Sequence, residues 1–472
     1  MGEQPADIEN FRTDAAAEVA AGSERVDPAR TLTNWKRNFA LFIVAQGLTL
    51  FGSMLVYYAV MWHIMLETQS GLMMTLIVVA GVVPMFFISP FAGVWADRYS
   101  KKMLINIADA SIAIVTLGMA ILFSIGIEDM TIWLLLCLAA RGLGQGVQLP
   151  AVNALVPVLV PKEHLTRANG IAGTMQAIIM FASPVAGGVV LAFMPIQTLL
   201  FIDVVTAIIG ITVLWFLVTV PKHGKAREVP PGFKQYFVEI GEGLRYIRAS
   251  AFLWKMLLLS AFFNFMAAPA ASLTPLQVTR NWGDGIMYFM GALALGPEQR
   301  LAGSEALYFL GMVAGGTIIA IWGGYKNKSY TLALSTFAFG VGAAGLGLLG
   351  NFYLYLICMA FVGIFMGVFN APSMAILQTN VNMDYMGRVF SVMAMLSTIM
   401  MPIGMALWGP LSDVVSIDII FIWTGVVIFL IGFVFAFDKD FKRAGLSEGV
   451  MTETAEQDAG SPEPATEQEV AK

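Results

Sequence analysis

Residues 93–102 read Gly93-Val94-Trp95-Ala96-Asp97-Arg98-Tyr99-Ser100-Lys101-Lys102, a charged loop between two apolar runs, 72–95 and 103–125. Each run is long enough to cross about 30 Å of hydrocarbon as a helix rising 1.5 Å per residue. A loop with one acid and three bases between two such runs is a turn at a bilayer surface, which separates a membrane chain from a soluble helical one.

Working outward, apolar runs recur at 39–63, 132–155, 171–194 and 198–220, and again at 252–276, 306–322, 332–349, 352–376, 389–411 and 419–437, which makes about twelve spans. Hydrophobic residues make up 58% of the 472 residues and charged ones 12%, and the mean hydropathy is +0.75. Such a chain has too little polar surface to cover itself in water. The formal net charge of -5 says little, because the placement of Lys and Arg governs orientation. Basic residues follow the even-numbered spans: Arg98, Lys101, Lys102; Lys162, Arg167; Lys222 to Arg248; Lys326, Lys328; Arg388; Lys439, Lys442 and Arg443. The opposite loops hold only Arg280 and Arg300. Both termini are therefore expected in the cytoplasm, with the protein in the inner (plasma) membrane and Trp62, Trp133 and Trp322 in the interfacial belts.

The expected organisation is a disordered N-terminal tail (1–34), a six-helix bundle (35–220), a cytoplasmic linker (221–251), a second bundle (252–443) and a disordered acidic tail (444–472). The linker carries Phe233, Tyr236, Phe237, Ile240, Leu244 and Ile247 at helical spacing, which predicts an amphipathic helix on the inner leaflet. A shift of 221 positions pairs Leu135 with Leu356, Cys137 with Cys358, Gly142 with Gly363, Gly146 with Gly367 and Arg167 with Arg388. This internal repeat predicts two pseudo-symmetric six-helix halves in an all-α membrane fold, with the substrate site between them.

Charges deep in a span are costly and are functional candidates. Asp109, Arg141 and Asp203 are the expected ones. At 1.5 Å per residue Arg141 and Asp203 lie roughly 12 and 8 Å below one edge, whereas Asp109 lies about 9 Å from the other. Depth thus favours Asp203 as the partner of Arg141. For proton coupling, Asp109 is favoured as the carrier for its nearness to the cytoplasmic side, with Arg141 as the charge that biases it.

The sequence from Gly93 through Asp97, Arg98, Lys101 and Lys102 resembles the loop signature of the major facilitator superfamily, and the resemblance runs over about 39–437. It is most similar to the macrolide-efflux and drug:proton antiporter branch, which includes siderophore exporters, through Ile88-Ser89-Pro90 before the loop, Arg141 to Ala151, Val160 to Asn169 and Gly387-Arg388-Val389. The resemblance implies a gating role for the loop, with Asp97 facing the start of span eleven near Val389, while Gly93 permits close helix approach. It implies an antiporter motif in span five at Pro184, Gly187 and Gly188, although Ile179 and Ser183 replace two of its glycines, and the span-four spacing to Gln145 and Gly146 is one residue longer than usual. It also puts Gln46, Gln148, Asn264 and Asn370 on cavity-lining helices. The 29 methionines suit a site that repacks around varied ligands.

The function expected is secondary-active, proton-coupled efflux of amphipathic small molecules such as macrolide-type drugs, by a monomer that exchanges substrate against protons. The alternatives are a siderophore or metabolite exporter of the same fold, or a non-transporting receptor. The chain has no phosphate-loop motif for ATP. His63, His164 and His223 are scattered without metal-ligand spacing. No enzyme chemistry, cofactor, metal or nucleic-acid partner is expected, and Cys137 and Cys358 offer no disulfide framework.

Overall fold

The computed structural model describes residues 34–126, 130–220, 233–283, 287–289 and 293–446. Both expected tails, apart from their inner ends, and the first part of the linker lie outside these. Among the described residues, twelve helices are long and apolar enough to cross a bilayer. The first half holds α1 (Trp35–Thr68), α2 (Gly71–Arg98), α3 (Lys101–Ile125), α4 (Met130–Leu159), α5 (Leu165–Phe193) and α6 (Ile196–Thr212), which runs on through one π turn, Val213–Leu217. The linker helix α7 (Phe233–Ala249) leads to α8 (Ala251–Ser272) and α9 (Thr274–Trp282), which together make one span. A two-stranded antiparallel hairpin, β1 (Met287–Phe289) with β2 (Leu293–Leu295), precedes α10 (Pro297–Trp322), α11 (Lys328–Leu348), α12 (Phe352–Asn380), α13 (Met383–Leu411), α14 (Ile417–Phe437) and the short α15 (Lys439–Ala444).

In lipid every backbone polar group needs an internal partner, so apolar runs of this length become helices. Their ends are set by side-chain oxygens that take up the free N–H groups of the first turn. Ser70 accepts from Met73, Ser100 from Met103, Ser250 from Leu253 and Asn351 from Tyr353 and Leu354. Gly126 and Gly323 close α3 and α10 in the left-handed region, at φ 76° and 74°, where a Cβ is strained.

Helix neighbours repeat between the halves. α1 packs on α6 as α8 packs on α14, α2 on α4 as α10 on α12, α3 on α4 as α11 on α12, and α1 on α5 as α8 on α13. Glycines make close approaches in two of these pairs. Gly142 and Gly146 meet backbone of α2, while Gly311, Gly315, Gly363 and Gly367 interlock α10 with α12 against main-chain atoms. Without a hydrophobic force between helices in lipid, such small-residue contacts supply the van der Waals energy of association. The halves meet along α2 with α13 and α5 with α10.

Their contact is one-sided. One apolar cluster spans both halves, from Val56, Met65 and Met74 to Phe263, Leu276 and Phe421. At the end where most basic residues lie, each half keeps its own cluster, one around Phe42, Ile105 and Leu155 and the other around Ile247, Leu332 and Val389. The shared apolar core thus lies at the end poor in bases, and each half keeps a core of its own at the basic end.

Three expectations need correction. Trp62 does not reach an interface: α1 runs on to Thr68, so Trp62 is fully buried beside Gly187 and Gly188, whereas Trp133 and Trp322 are 48% and 45% exposed near span ends. The linker helix turns its apolar residues Ile240, Leu244 and Ile247 onto the second half's own cluster rather than to lipid, and Ile247 is fully buried. The Glu242 to Arg388 ion pair at 3.1 Å and the stacked rings of Tyr246 and Tyr385 hold it there. The side chains of Phe233, Tyr236 and Phe237 lie outside the described residues. Finally, Gly93 has open space within 4 Å of where a Cβ would stand, so it makes no close helix approach in this conformation.

Candidate functional site: the cavity between the halves

Beneath the joined end the halves enclose a cavity of about 390 Å3. Its walls follow helical periodicity: Met54, Tyr57, Tyr58 and Met61 of α1, Leu138, Arg141, Gly142 and Gln145 of α4, and Glu305, Tyr308 and Phe309 of α10. Residues at i, i+3, i+4 and i+7 share one helix face, so each helix presents a single stripe inward. Methionines arrive from α1, α2, α5, α12 and α13, giving a soft, polarisable lining that repacks easily.

On the first-half wall, Arg141 donates to Asp203 Oδ2 at 2.6 Å. Both side chains are almost wholly buried, 2% and 1% exposed. Arg141 Nη1 also donates to Thr116 Oγ1, Nη2 donates to the Ser53 carbonyl at 3.3 Å, and Thr116 donates to Asp203 at 3.1 Å. Four helices thereby converge on one guanidinium. Gly52 makes room for it, since a Cβ there would stand 2.8 Å from Asp203 Oδ1. Asp203 Oδ1 is buried without a hydrogen-bond partner, so the pair is held through Oδ2 alone.

Asp109 forms a separate centre nearer the basic end. It is fully buried, accepts from Gln148 Nε2 at Oδ1, and leaves Oδ2 without a hydrogen-bond partner. Gln46 is also buried nearby, with Nε2 unpartnered. Arg141 is therefore committed to Asp203, and the expectation that it biases Asp109 is replaced: amide groups surround Asp109 instead. None of Gln46, Gln148, Asn264 and Asn370 stands on the walls of this cavity. The last two donate to carbonyls of their own helices, Ser260 and Met366, which satisfies them locally.

Glu305 is the wall residue that sequence reasoning missed. The expected span began at 306, because Glu298, Arg300 and Glu305 interrupt the apolar run; the helix starts at Pro297. Proline at the first helical position was the available signal. Arg300 is buried and donates to the Trp282 carbonyl, so that charge has a structural use.

In the loop motif, the side chains of Asp97 and Arg98 lie outside the described residues, as their placement near Val389 therefore does too. Lys102 donates to the carbonyls of Trp215 and Val218 at 2.8 and 2.7 Å, tying the start of α3 to the end of α6 within the same half. Lys101 makes an interaction of its own. In span five, a Cβ at Gly187 would stand 3.7 Å from Leu55 and Trp62, and Gly188 lies against Ala302 and the Glu298 carbonyl of α10. With buried Ser183 before Pro184, this motif lines the seam between the halves.

A sequence profile described as Major Facilitator Superfamily matches residues 41–297 and 301–461. The chain is similar to Macrolide efflux protein A of Streptococcus pyogenes, 26% identical over 88% of this chain and 98% of that one. It is also similar to the Staphyloferrin A transporter of Staphylococcus aureus (23%; 84% and 95%) and the Multidrug efflux pump Tap of Mycolicibacterium fortuitum (23%; 86% and 97%). Among solved structures it shares its fold with a POT family transporter in complex with 5-aminolevulinic acid (TM-score 0.67, 11% identity, 85% and 95% covered). A bacterial homologue of the iron transporter ferroportin in an inward-facing state is similar as well (TM-score 0.63, 15% identity, 85% and 99% covered).

Proposed function

This chain belongs to the Major Facilitator Superfamily and is a multi-pass membrane transporter, and from that premise we propose that it exports amphipathic small molecules, of the macrolide type, in exchange for protons. The observation that carries the reading is the Met- and Tyr-walled cavity that both halves share, sealed at one end and lying above separate cores at the other. Such a cavity serves alternating access, in which the halves rock about a fixed site. The macrolide-efflux and multidrug-efflux relatives support export and the substrate class. The bias of Lys and Arg to one end supports a plasma-membrane orientation with that end and both tails on the cytoplasmic side.

Exchange against protons needs groups that change charge during the cycle. Asp109, with an unpartnered oxygen, and the Arg141 to Asp203 pair on the cavity wall are the first-half candidates. A second reading, export of a siderophore or metabolite, rests on the staphyloferrin A relative. The test is flux in proteoliposomes: a radiolabelled macrolide accumulates in the lumen when the lumen is acid, because protons leaving down their gradient drive substrate in, and the accumulation collapses when the gradient is dissipated. Flux indifferent to the gradient removes proton exchange, and flux of a siderophore but no macrolide selects the second reading.

A further inference from the structure

We propose that the main-chain carbonyls of Ala271 and Ser272, with the Ser272 hydroxyl, form a subsite that takes hydrogen bonds from a hydroxyl group of the carried molecule. The inference deepens the exporter reading and rests on its cavity. Span seven is broken there: α8 ends at Ser272, α9 starts at Thr274, and Leu273 between them belongs to neither. The last four carbonyls of a helix have no partner within it. Of the four in α8, Pro269 O accepts from the Leu273 N–H at 2.7 Å and Ala270 O from the Thr274 hydroxyl at 2.6 Å. For Ala271 the donor four residues on would be Pro275, which has no N–H. Among the described residues no donor takes up the carbonyls of Ala271 and Ser272, and no hydrogen bond engages the Ser272 hydroxyl.

The other proline of this span shows the contrast. Pro269 likewise deprives the Phe265 carbonyl of its donor, but there Trp408 Nε1 reaches over from α13 and donates at 3.1 Å. In lipid a carbonyl freed by proline is taken up by a neighbour unless it borders a cavity. Ala270, Ala271 and Ser272, where the ladder is interrupted, are the residues that span seven contributes to the cavity wall. Nor does the fold demand the break. α1 holds the equivalent place in the first half, and it runs unbroken over 34 residues without a proline.

These oxygens set the chemistry of the guest. Two neutral acceptors one residue apart suit a hydroxyl, whose own oxygen accepts from Ser272 in return. A guest that lacks the donor strips water from the carbonyls and gives nothing back, so it is rejected. The ligand read here is an apolar frame bearing at least one hydroxyl, its body lying against the methionines.

Erythromycin and its analogue with every hydroxyl O-methylated are the probes, bound to the purified full-length protein in lipid nanodiscs with no pH gradient. The wild type prefers erythromycin by roughly tenfold. Pro275→Ala supplies the missing N–H to the Ala271 carbonyl and cuts that preference about three- to tenfold, through weaker binding of erythromycin; Ser272→Ala cuts it about threefold. Pro269→Ala keeps the wild-type preference, because Trp408 already holds the carbonyl concerned, and so separates loss of an acceptor from straightening of the span. An unchanged preference in Pro275→Ala overturns the proposal, as does an unchanged preference in Ser272→Ala should the first variant not assemble. An equal fall in all three variants overturns it too, and so does equal binding of both probes by the wild type, an arm that needs no variant. If the binding results hold while gradient-driven flux is absent, the exporter reading fails and the subsite stands; gradient-driven flux without preference between the probes removes the subsite alone.

Discussion

Asp413 and Gly71 lie 342 positions apart in the chain and 2.6 Å apart across the seam, where the Gly71 N–H donates to the Asp413 carboxylate. Leu72 N–H and the Ser70 hydroxyl each donate to the same carboxylate at 2.9 Å, and Arg280 donates at 2.8 Å while also reaching the carbonyls of Gln69 and Ser412. The acid thus caps the positive end of α2 from the opposite half. It latches the joined end, beside the close approach of Gly409 to Gly71 and Thr75.

Asp413→Asn weakens this latch. The site is partly exposed, so the cost is about 1 kcal/mol, roughly a fivefold shift toward opening at that end. Spin labels at Glu67 and Val414 read the distance across the seam, and an unchanged distribution would falsify the latch. Burial alone raises the Asp413 carboxyl, but the Gly71 and Leu72 N–H groups, Ser70 and Arg280 outweigh it and hold it below the ordinary carboxylate range. A depressed value means the contribution is complete above about pH 4 and is lost as pH falls through the lower, latched value. The wild-type distance is therefore constant from pH 7 to pH 5 and lengthens only in stronger acid.

Breaking the Arg141 to Asp203 pair leaves one buried charge alone, at a cost of about 3–5 kcal/mol. Arg141→Gln and Asp203→Asn each lower the melting temperature of the purified protein, and the double variant recovers part of the loss because no naked charge remains. Additive losses in the double variant would show that the two do not act as a pair.

Asp109→Asn separates proton handling from ligand binding. Macrolide affinity stays within about twofold, since Asp109 is off the cavity wall, while accumulation driven by a pH gradient falls. Full accumulation in this variant removes Asp109 from the proton route.

The glycine interlock is tested by pairing Gly311→Ala with Gly303→Ala on the same helix. A Cβ at Gly311 runs into the Ala360 carbonyl and Ile364 backbone, which cannot rotate away, whereas Gly303 has nothing within 4 Å. Overpacking costs about 1–3 kcal/mol, and alanine at the open site is neutral or stabilising by about 0.5–1 kcal/mol. Thermal unfolding of both variants reads the difference; equal melting temperatures would dismiss the interlock.

Orientation is checked by impermeant thiol labelling of intact cells, after Cys137 and Cys358 are replaced. A cysteine at Gly291 is labelled and one at Ser447 is not; the reverse pattern inverts the topology.

The sequence by itself determined the number of spans, the two related halves and the bias of bases to one end. These follow from local chemistry: a long apolar run in lipid has no alternative to a helix, and Lys and Arg resist transfer across the bilayer. The candidate charges Asp109, Arg141 and Asp203 were legible for the same reason, as polar residues in apolar runs. Which of them meet was decided by tertiary structure, because Gly52 and the other small residues set how closely α1, α3, α4 and α6 approach, and spacing along the chain carries no record of lateral packing. Glu305 escaped because Glu298 and Arg300 in the first turns read as loop, whereas α10 starts at Pro297 and buries Arg300. The linker helix shows the same division. Its apolar stripe was plain, but a stripe fits lipid and protein alike, and only the Glu242 to Arg388 pair and the fit of Ile247 into the second half's core decide between them.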